Sequence, residues 1–137
     1  MKLVQSILTK NPCYTAGRKI TVKGLMLHSV GCPQPKASVF INSWNSPSYD
    51  SACVHGFIDG NDGTVYQTLP WNHRGWHCGS GSRGSGNNTH IGVEMCEPCL
   101  YQVHKRGEFY LLRCRNSKDG GKAYLLSLIH ISEPTRH

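Results

Sequence analysis

The 137-residue chain lacks any long apolar segment. The apolar stretch after Met1 and Lys2 is short and is interrupted at Asn11 and Pro12, so a secretory signal peptide is not predicted. No run approaches the length of about 20 apolar residues that a transmembrane helix requires. We therefore expect a protein that is made in the cytoplasm and has no membrane as a partner.

A strong charge bias is also missing from most of the chain. The net charge is +7, but residues 1–98 hold 8 Lys or Arg and 5 Asp or Glu, a net +3, while residues 99–137 hold 7 and 3, a net +4. Because more than half of the excess positive charge lies in the final segment, nucleic acid is not predicted as a partner. A mildly basic body would suit an anionic polymer.

The cysteines do not form a regular pattern. Their number is seven, which is odd, and their spacing is irregular, so a disulfide framework is not predicted. Cys96 and Cys99 form a C-x-x-C pair, a spacing found in redox pairs and zinc knuckles. Since no second C-x-x-C is present, unpaired thiols are the favoured interpretation. The length allows one domain with a modest core, and we expect a monomer.

The hydrophobic pattern predicts an α/β (α+β) fold with a mixed central sheet flanked by helices. Residues up to about Arg18 read as an irregular arm, and the glycine-rich segment Gly79–Asn88 reads as a flexible surface loop. A helix is predicted where Val39, Phe40, Ile41 and Trp44 recur at helical spacing. Strands are predicted at residues 23–30, 52–59, 64–69 and 90–96, and a hairpin turn is predicted at residues 60–63.

A histidine and a carboxylate occupy two of these strands. His28 ends an apolar strand directly before a Gly-Cys-Pro turn, and Glu94 lies in the otherwise apolar run IGVEM. Rigid strands hold a metal ligand precisely, and a carboxyl group in apolar surroundings acquires a raised pKa suited to a general base. The structural alternatives are a packed histidine and a glutamate on the solvent face of the sheet. A histidine next to a carboxylate is what a zinc hydrolase requires.

Two further histidines are four residues apart. His73 and His77 have the spacing of ligands on one helical turn, but Gly75 and Trp76 between them disfavour a helix. We interpret both as residues of a loop or cleft wall.

Three segments in a fixed order resemble a known family. They are GLMLHSVG, ACVHGFIDGNDGTVYQTLPWNHRGWHCG and NNTHIGVEMCE, and together they cover roughly residues 20–98. They are similar to the zinc-dependent N-acetylmuramoyl-L-alanine amidases of the type-2 amidase family, which are related in fold to phage lysozyme-type amidases and peptidoglycan-recognition proteins. The resemblance implies hydrolysis of the amide between N-acetylmuramic acid and L-alanine, with bacterial peptidoglycan as the partner.

The resemblance also implies roles for individual residues. His28 matches the first Zn²⁺ ligand, and Glu94 matches the acidic residue that works as general acid and base. His77 matches a substrate-cleft histidine, and His55, in the middle strand, is assigned with it to substrate binding. The remaining positions implied to line the peptidoglycan groove are Trp71, Asn72, Arg74 and Trp76. Such an enzyme acts at the bacterial cell wall, released as an endolysin or autolysin or exported by another route.

The end of the chain departs from the family pattern. The family takes its second and third zinc ligands from downstream segments, and nothing in residues 99–137 matches those motifs; His104, Cys114 and His130 lack the surrounding pattern. LSLIHISEPTR can be back-translated into a transposon-end sequencing adapter, and residues 99–125 read better in another frame. We therefore predict an incomplete amidase domain at 1–98, a frame-shifted translation at 99–125 and an adapter translation at 126–137.

Two other interpretations stay open. The chain could be a non-catalytic peptidoglycan-binding module, since relatives of this kind bind without cutting. It could also be a fragment that does not fold stably, because an apolar sheet face would lack its covering helices. Phage or bacterial origin is left open too.

Overall fold

A computed structural model of the protein describes residues 1–97, 101–106, 109–114 and 123–125. The chain divides into two compact units, Met1–Pro98 and Cys99–His137. The second unit contains a three-stranded antiparallel sheet in the order β10-β9-β8. Its strands are β8 (Tyr101–Arg106), β9 (Phe109–Cys114) and β10 (Ala123–Leu125).

The first unit is built on a five-stranded mixed sheet in the order β1-β4-β3-β7-β2. Strand β7 runs parallel to both β2 and β3, β1 runs parallel to β4, and β3 and β4 form an antiparallel pair. A small hairpin and a 3₁₀ helix precede β7. The elements are β1 (Leu3–Gln5), α1 (Pro12–Ala16), β2 (Gly24–Ser29), α2 (Ala37–Trp44), β3 (Gly56–Ile58), β4 (Val65–Gln67), β5 (Ser80–Gly81), β6 (Gly84–Ser85), the 3₁₀ helix (Gly86–Asn88) and β7 (His90–Met95).

The predicted helix is confirmed as α2, and it covers one face of the sheet. Phe40 stacks on Phe57 of β3 with ring centroids 5.3 Å apart, and Trp44 meets the same ring edge-on at 5.0 Å. The helix begins without a side-chain cap from its own segment. Instead, the backbone N–H of Ala37 donates to Asp59 Oδ2 at 2.9 Å, so the end of β3 supplies the missing acceptor.

The opposite face of the sheet carries exposed apolar side chains. Residues Leu25 and Leu27 of β2 alternate with His28, and Met95 of β7 alternates with Glu94, so they point away from α2. Their side chains are 58%, 52% and 38% exposed. We call the surface formed by Leu25, Leu27 and Met95 the open face.

The prediction of an irregular N-terminal arm was wrong. Residues 3–5 form β1, and α1 follows with Asn11 as its cap, Pro12 in its first turn and Gly17 in a left-handed conformation at its end. Asn11 Oδ1 accepts from the Cys13 N–H at 2.9 Å. Both elements are too short to produce a periodic pattern, and β1 depends on pairing with the distant β4.

The prediction of a flexible loop at Gly79–Asn88 was also wrong. This segment contains the β5–β6 hairpin and the 3₁₀ helix, and Asn87 is buried. The hairpin places Gly84 at a positive φ of 97°, which glycine adopts without strain.

The other predicted elements of the first unit are confirmed with shorter bounds. The strands at 23–30, 52–59, 64–69 and 90–96 correspond to β2, β3, β4 and β7, and β3 and β4 are joined by the predicted turn. Cys96 is a buried free thiol, while Cys99 lies outside the described residues. Within the described part of the chain, no helix has the length and apolar character needed to traverse a bilayer.

Candidate functional site

His28 and Glu94 lie side by side on the face of the sheet that α2 partly covers. They are direct partners in the parallel register of β2 and β7, so their side chains point to the same side. Neighbouring strands are about 4.8 Å apart, which brings an imidazole and a carboxyl group within mutual reach. The sequence predicted both residues for the site, and the sheet brings them together.

His77 completes this corner from a separate segment. Its Nδ1 lies 3.1 Å from His28 Nε2, and its Nε2 lies 3.1 Å from the backbone oxygen of His90. A carbonyl oxygen only accepts, so His77 Nε2 carries a proton and donates. In the neutral ring Nδ1 is then an acceptor, and His28 Nε2–H donates to it. This leaves the lone pair of a neutral His28 on Nδ1.

Burial keeps both histidines in their neutral form. It lowers the pKa of His28, and it lowers the pKa of His77 to about 4, with the neighbouring histidines contributing in the same direction. At neutral pH the pair is therefore uncharged. Neutral imidazole is the form that binds a metal ion and accepts a proton.

Burial shifts the pKa of Glu94 in the opposite direction. Burial raises the pKa of Glu94 to about 7, and the negative charge of Glu97 adds to the effect. Its buried Oε2 has no hydrogen-bond partner among the described residues. A carboxyl group that is half-ionised near neutral pH can both take up and release a proton in one reaction cycle. We call His28, His77 and Glu94, the candidates for catalysis, metal binding and substrate contact in this corner, the catalytic corner.

His55 lies in the buried core next to the catalytic corner. It is fully buried, its Nδ1 accepts from the Gly92 N–H at 3.0 Å, and its Nε2 donates to the His73 oxygen at 2.8 Å. Its ring centroid is 5.9 Å from that of His77. Both ring nitrogens are used within the fold, so the structure places His55 under the cleft rather than on its surface.

Sequence reasoning missed two residues that hold His77 in place. Gly92 lies directly under the His77 ring, and a Cβ at that position would collide with it. Asn87 Oδ1 accepts from the backbone N–H groups of His77 and Cys78 at 2.8 and 3.1 Å. A glycine interrupting an apolar strand is a recognisable mark of a close approach, and it was present in IGVEM.

Tyr49 is a third residue that sequence reasoning did not find. Its ring stacks on Trp44 at a centroid distance of 5.1 Å. Burial raises the pKa of Tyr49, and the negative charge of Glu94 contributes to the rise. The hydroxyl group therefore lies within the electrostatic reach of Glu94.

The predicted groove residues lie on the segment between β4 and the small hairpin. Trp71 and Trp76 are 36% and 48% exposed, and Asn72 is exposed. Arg74 Nε donates to Asn88 Oδ1 at 2.7 Å. Arg74 and Trp76 line a pocket of about 180 Å³ together with residues of α1. All four side chains have surface that a ligand can reach.

A complete metal site is not formed by the described residues. Within residues 1–97 and the described strands that follow, no three His, Cys, Asp or Glu side chains form a group able to hold a metal ion. A catalytic zinc takes three protein ligands and keeps one open position. His28 can supply one donor, so these residues alone do not fit the predicted Zn²⁺. His104 and Cys114 lie in β8 and β9, and His130 lies outside the described residues.

Comparison with known proteins gives the family of the chain. A family model described as N-acetylmuramoyl-L-alanine amidase matches residues 17–120, well over half of the chain. The chain belongs to this amidase family. The match includes all residues of the catalytic corner and extends beyond the predicted boundary at residue 98.

Individual members of the amidase family resemble the chain over part of their length. N-acetylmuramoyl-L-alanine amidase CwlH of Bacillus subtilis (strain 168) is 49% identical over 78 residues, which are 57% of this chain and 29% of CwlH. The amidase CwlA of the same organism is 31% identical over 83 residues, 50% of this chain and 30% of CwlA. The chain thus spans less than a third of the length of these curated relatives.

Two solved structures have a similar fold. A mutant endolysin from Bacillus subtilis has a TM-score of 0.57 and 26% identity, covering 71% of this chain and 62% of the endolysin. A mutant of PlyL has a TM-score of 0.52 and 21% identity, covering 70% and 59%. These similarities confirm the predicted α/β amidase-type fold.

Proposed function

We propose that this amidase-family chain carries the catalytic corner of a peptidoglycan hydrolase that cleaves the amide between N-acetylmuramic acid and L-alanine. The observation that carries the proposal is the register pairing of Glu94 with His28, next to the His28–His77 pair, in a position where burial raises the pKa of Glu94 to about 7. Amide hydrolysis needs a group that removes a proton from water and later protonates the leaving amine. Glu94 can do both near neutral pH.

The proton would travel through Glu94 in two steps. The ionised carboxylate accepts a proton from the attacking water, and the protonated form donates it to the nitrogen of L-alanine as the C–N bond breaks. Its half-buried position strengthens this exchange, because few solvent molecules compete for the carboxyl oxygens. We assign His77 to orienting His28 and contacting substrate, and His55 to fixing the strand on which Glu94 lies.

Zinc dependence is a separate part of the proposal. We assign His28 as one Zn²⁺ ligand because it is neutral and has an available Nδ1 lone pair in the tautomer described above. A complete set of three ligands would need at least one donor from outside the residues that the structure describes. Zinc analysis of the purified full chain, with His28→Ala as the control, tests this assignment.

The substrate groove would run past Trp71, Asn72, Arg74 and Trp76. Exposed tryptophans stack on sugar and peptide surfaces, and an arginine pairs with a carboxylate of the stem peptide. A groove of this kind would support action at the bacterial cell wall, as in an endolysin or an autolysin.

We also propose that residues 99–125 are a frame-shifted translation and residues 126–137 an adapter translation. The division of the chain at residues 98 and 99 supports this proposal. The family match to residue 120 supports the alternative of a continuous domain. DNA sequencing of the parent gene around codons 98 and 99 separates them: an extra base there is expected, and an uninterrupted reading frame would contradict the proposal.

Cleavage of purified cell walls tests the enzymatic proposal. The full chain is incubated with peptidoglycan, and newly exposed N-terminal alanine is quantified. Release by the wild-type chain and its loss in Glu94→Gln are expected, whereas Glu97→Gln serves as a control that removes a nearby charge. Wall binding without release of alanine would instead identify a non-catalytic binding module.

A further inference from the structure

Two arginines line one pocket beside α1. Arg18 and Arg74 contribute to a cavity of about 180 Å³ whose remaining wall is formed by α1 and Trp76. Arg74 is one of the predicted groove residues, whereas Arg18 is not. Arg18 is exposed and Arg74 is partly buried, so both side chains can be reached from solvent.

The backbone brings the two arginines together. The Arg74 N–H donates to the Arg18 oxygen at 2.7 Å, and Lys19 and His73 form an antiparallel bridge. This register makes Arg18 the direct partner of Arg74, so both side chains point to the same side of the short ladder. Lys19 and His73 point to the other side, where Lys19 Nζ lies 3.1 Å from His73 Nδ1. Main-chain pairing therefore sets the two arginines next to each other.

The segments that carry this pair contain no acidic residue. Residues 1–49 hold six Lys or Arg and no Asp or Glu, and residues 63–93 also hold no Asp or Glu. The Arg74 side chain donates to neutral acceptors, from Nε to Asn88 Oδ1 at 2.7 Å and from Nη1 to the Gly75 oxygen at 3.5 Å. Like charges directly opposite each other on paired strands repel, and an arginine does not lose its proton. An anion bound between the two guanidinium groups would relieve this repulsion.

The lining of the pocket indicates the chemistry of that anion. A guanidinium group binds a carboxylate through two parallel hydrogen bonds. Helix α1 adds apolar carbon atoms from Pro12 and Ala16, and Trp76 adds an aromatic ring that is 48% exposed. The volume is below the roughly 300 Å³ of sites for drug-sized ligands, so the pocket admits only a small group. These features fit a short aliphatic group that ends in a carboxylate.

A short segment connects the pocket with the catalytic corner. Arg74 and His77 are three residues apart, so their Cα atoms are separated by at most about 11 Å. The 3₁₀ helix holds both ends of this segment, because Asn87 Oδ1 accepts from the His77 N–H and Asn88 Oδ1 accepts from Arg74 Nε. An extended peptide that starts at the catalytic corner spans this distance with about three residues.

We propose that Arg18 is a specificity-determining residue that, together with Arg74, binds a free carboxylate of the peptide attached to N-acetylmuramic acid. The identity of this polymer rests on the proposed function, whereas the anion site rests on the paired arginines and the pocket. Wall peptides with amidated carboxyl groups lack the charge, so the chain should bind them more weakly.

Equilibrium binding of two matched ligands tests the site. An N-acetylmuramoyl tripeptide with free carboxylates and the same compound with amidated carboxyl groups are titrated into the full chain by calorimetry. Every protein in the series carries Glu94→Gln, so that the ligands are not cleaved. We expect the free-carboxylate ligand to bind about tenfold more tightly, since charge-assisted hydrogen bonds are lost on amidation.

Substitutions at Arg18 show whether this preference arises in the pocket. Arg18→Ala should remove most of the tenfold preference, and Arg18→Lys should retain part of it, because an ammonium group keeps the charge but lacks the bidentate geometry. Arg83→Ala removes an exposed arginine between β5 and β6 and should leave the preference unchanged. The main-chain bond between residues 18 and 74 does not depend on the substituted side chains, so the fold should be retained.

An undiminished preference in Arg18→Ala would overturn the proposal, as would equal or absent binding of the two ligands when Arg18 is intact. A glycerol phosphate oligomer serves as a competitor. If it binds through Arg18 more tightly than the free-carboxylate ligand, the pocket recognises phosphodiesters and the carboxylate assignment is wrong.

This outcome is separable from the fate of the amidase proposal. A retained carboxylate preference without release of N-terminal alanine from cell walls by the chain with Glu94 intact would contradict the hydrolytic function alone. Release of alanine without the preference would contradict the carboxylate site alone.

Discussion

The two faces of the β2–β7 pair differ although alternate residues of the same two strands form them. On one face, burial shifts the pKa values of His28 and Glu94 in opposite directions, which prepares a neutral base next to an acid. On the other face, Leu25 and Leu27 remain more than half exposed. The comparison teaches that covering by neighbouring segments gives the ionisable residues of one face the shifted pKa values that the proposed chemistry requires.

Replacing Glu94 should have the largest effect on activity and should separate the covered face from the open face. Glu94→Gln keeps the size of the side chain but removes proton transfer, so we expect release of N-terminal alanine from cell walls to fall by about 10²- to 10⁴-fold. The matched control is Met95→Gln on the open face, which should retain activity. Equal losses in both variants would mean that β7 acts only as a structural element.

Gly92 tests whether the covered face depends on close packing. Gly92→Ala places a methyl group under the His77 ring, and we expect a loss of about 1–3 kcal/mol in the free energy of unfolding. Gly81→Ala is the control, since no atom lies within 4 Å of its Cβ position. Chemical denaturation measures the free energy of unfolding of both variants. An unchanged stability of Gly92→Ala would show that His77 has room to move.

The pH dependence of stability should separate the two kinds of group in the catalytic corner. Glu94 has a raised pKa, so its contribution is present below its ordinary value of 4.5 and is lost as the pH rises through about 7. His77 has a lowered pKa, so its contribution is present above 6.5 and is lost as the pH falls through about 4. In the wild type, a rise in pH therefore lowers the free energy of unfolding through Glu94 and raises it through His77.

Comparing wild type with Glu94→Gln at each pH isolates the carboxyl group. A tenfold change in proton affinity is worth about 1.4 kcal/mol, and Glu94 is only partly buried, so we expect the variant to gain about 1–2 kcal/mol relative to wild type between pH 4.5 and 8. Denaturant titrations across this range provide the measurement. A difference that does not vary with pH would contradict the raised pKa.

Polar substitution on the open face should have the smallest effect. Leu27→Thr introduces a β-branched strand former at an exposed position, so we expect a change within about 0.5 kcal/mol in the free energy of unfolding. Light scattering should show less self-association, since an exposed apolar group is removed. A loss of several kcal/mol would mean that Leu27 is covered in solution.

The parts of the fold that local sequence predicts are those with strong local patterns. Helix α2 has apolar residues at helical spacing, and the β3–β4 hairpin has a turn that favours a positive φ at Gly63. Strand β1 could not be predicted, because its three residues gain their stability from β4, about 60 positions away. Helix α1 has only five residues, and its cap was recognisable only after the fold was known.

Prediction of the candidate site from local sequence has the same limit. His28 and Glu94 could be selected from their strand positions and from the family resemblance, but neither predicts that they are register partners. His77 was assigned to the cleft, yet its hydrogen bond to His28 depends on Gly92 and Asn87, whose effects are purely tertiary. The buried position of His55 likewise follows from packing that its neighbours in sequence do not indicate.

Strand β2 has a consequence that follows from its place at the end of the sheet order. No described strand pairs with its outer edge, which presents a row of backbone donors and acceptors, and two of its leucines are exposed beside that row. An extended peptide could extend the sheet by one strand there, and a second molecule in solution could do the same and start aggregation. Because His28 belongs to this strand, any such added strand would come to lie directly beside the residue assigned to bind zinc.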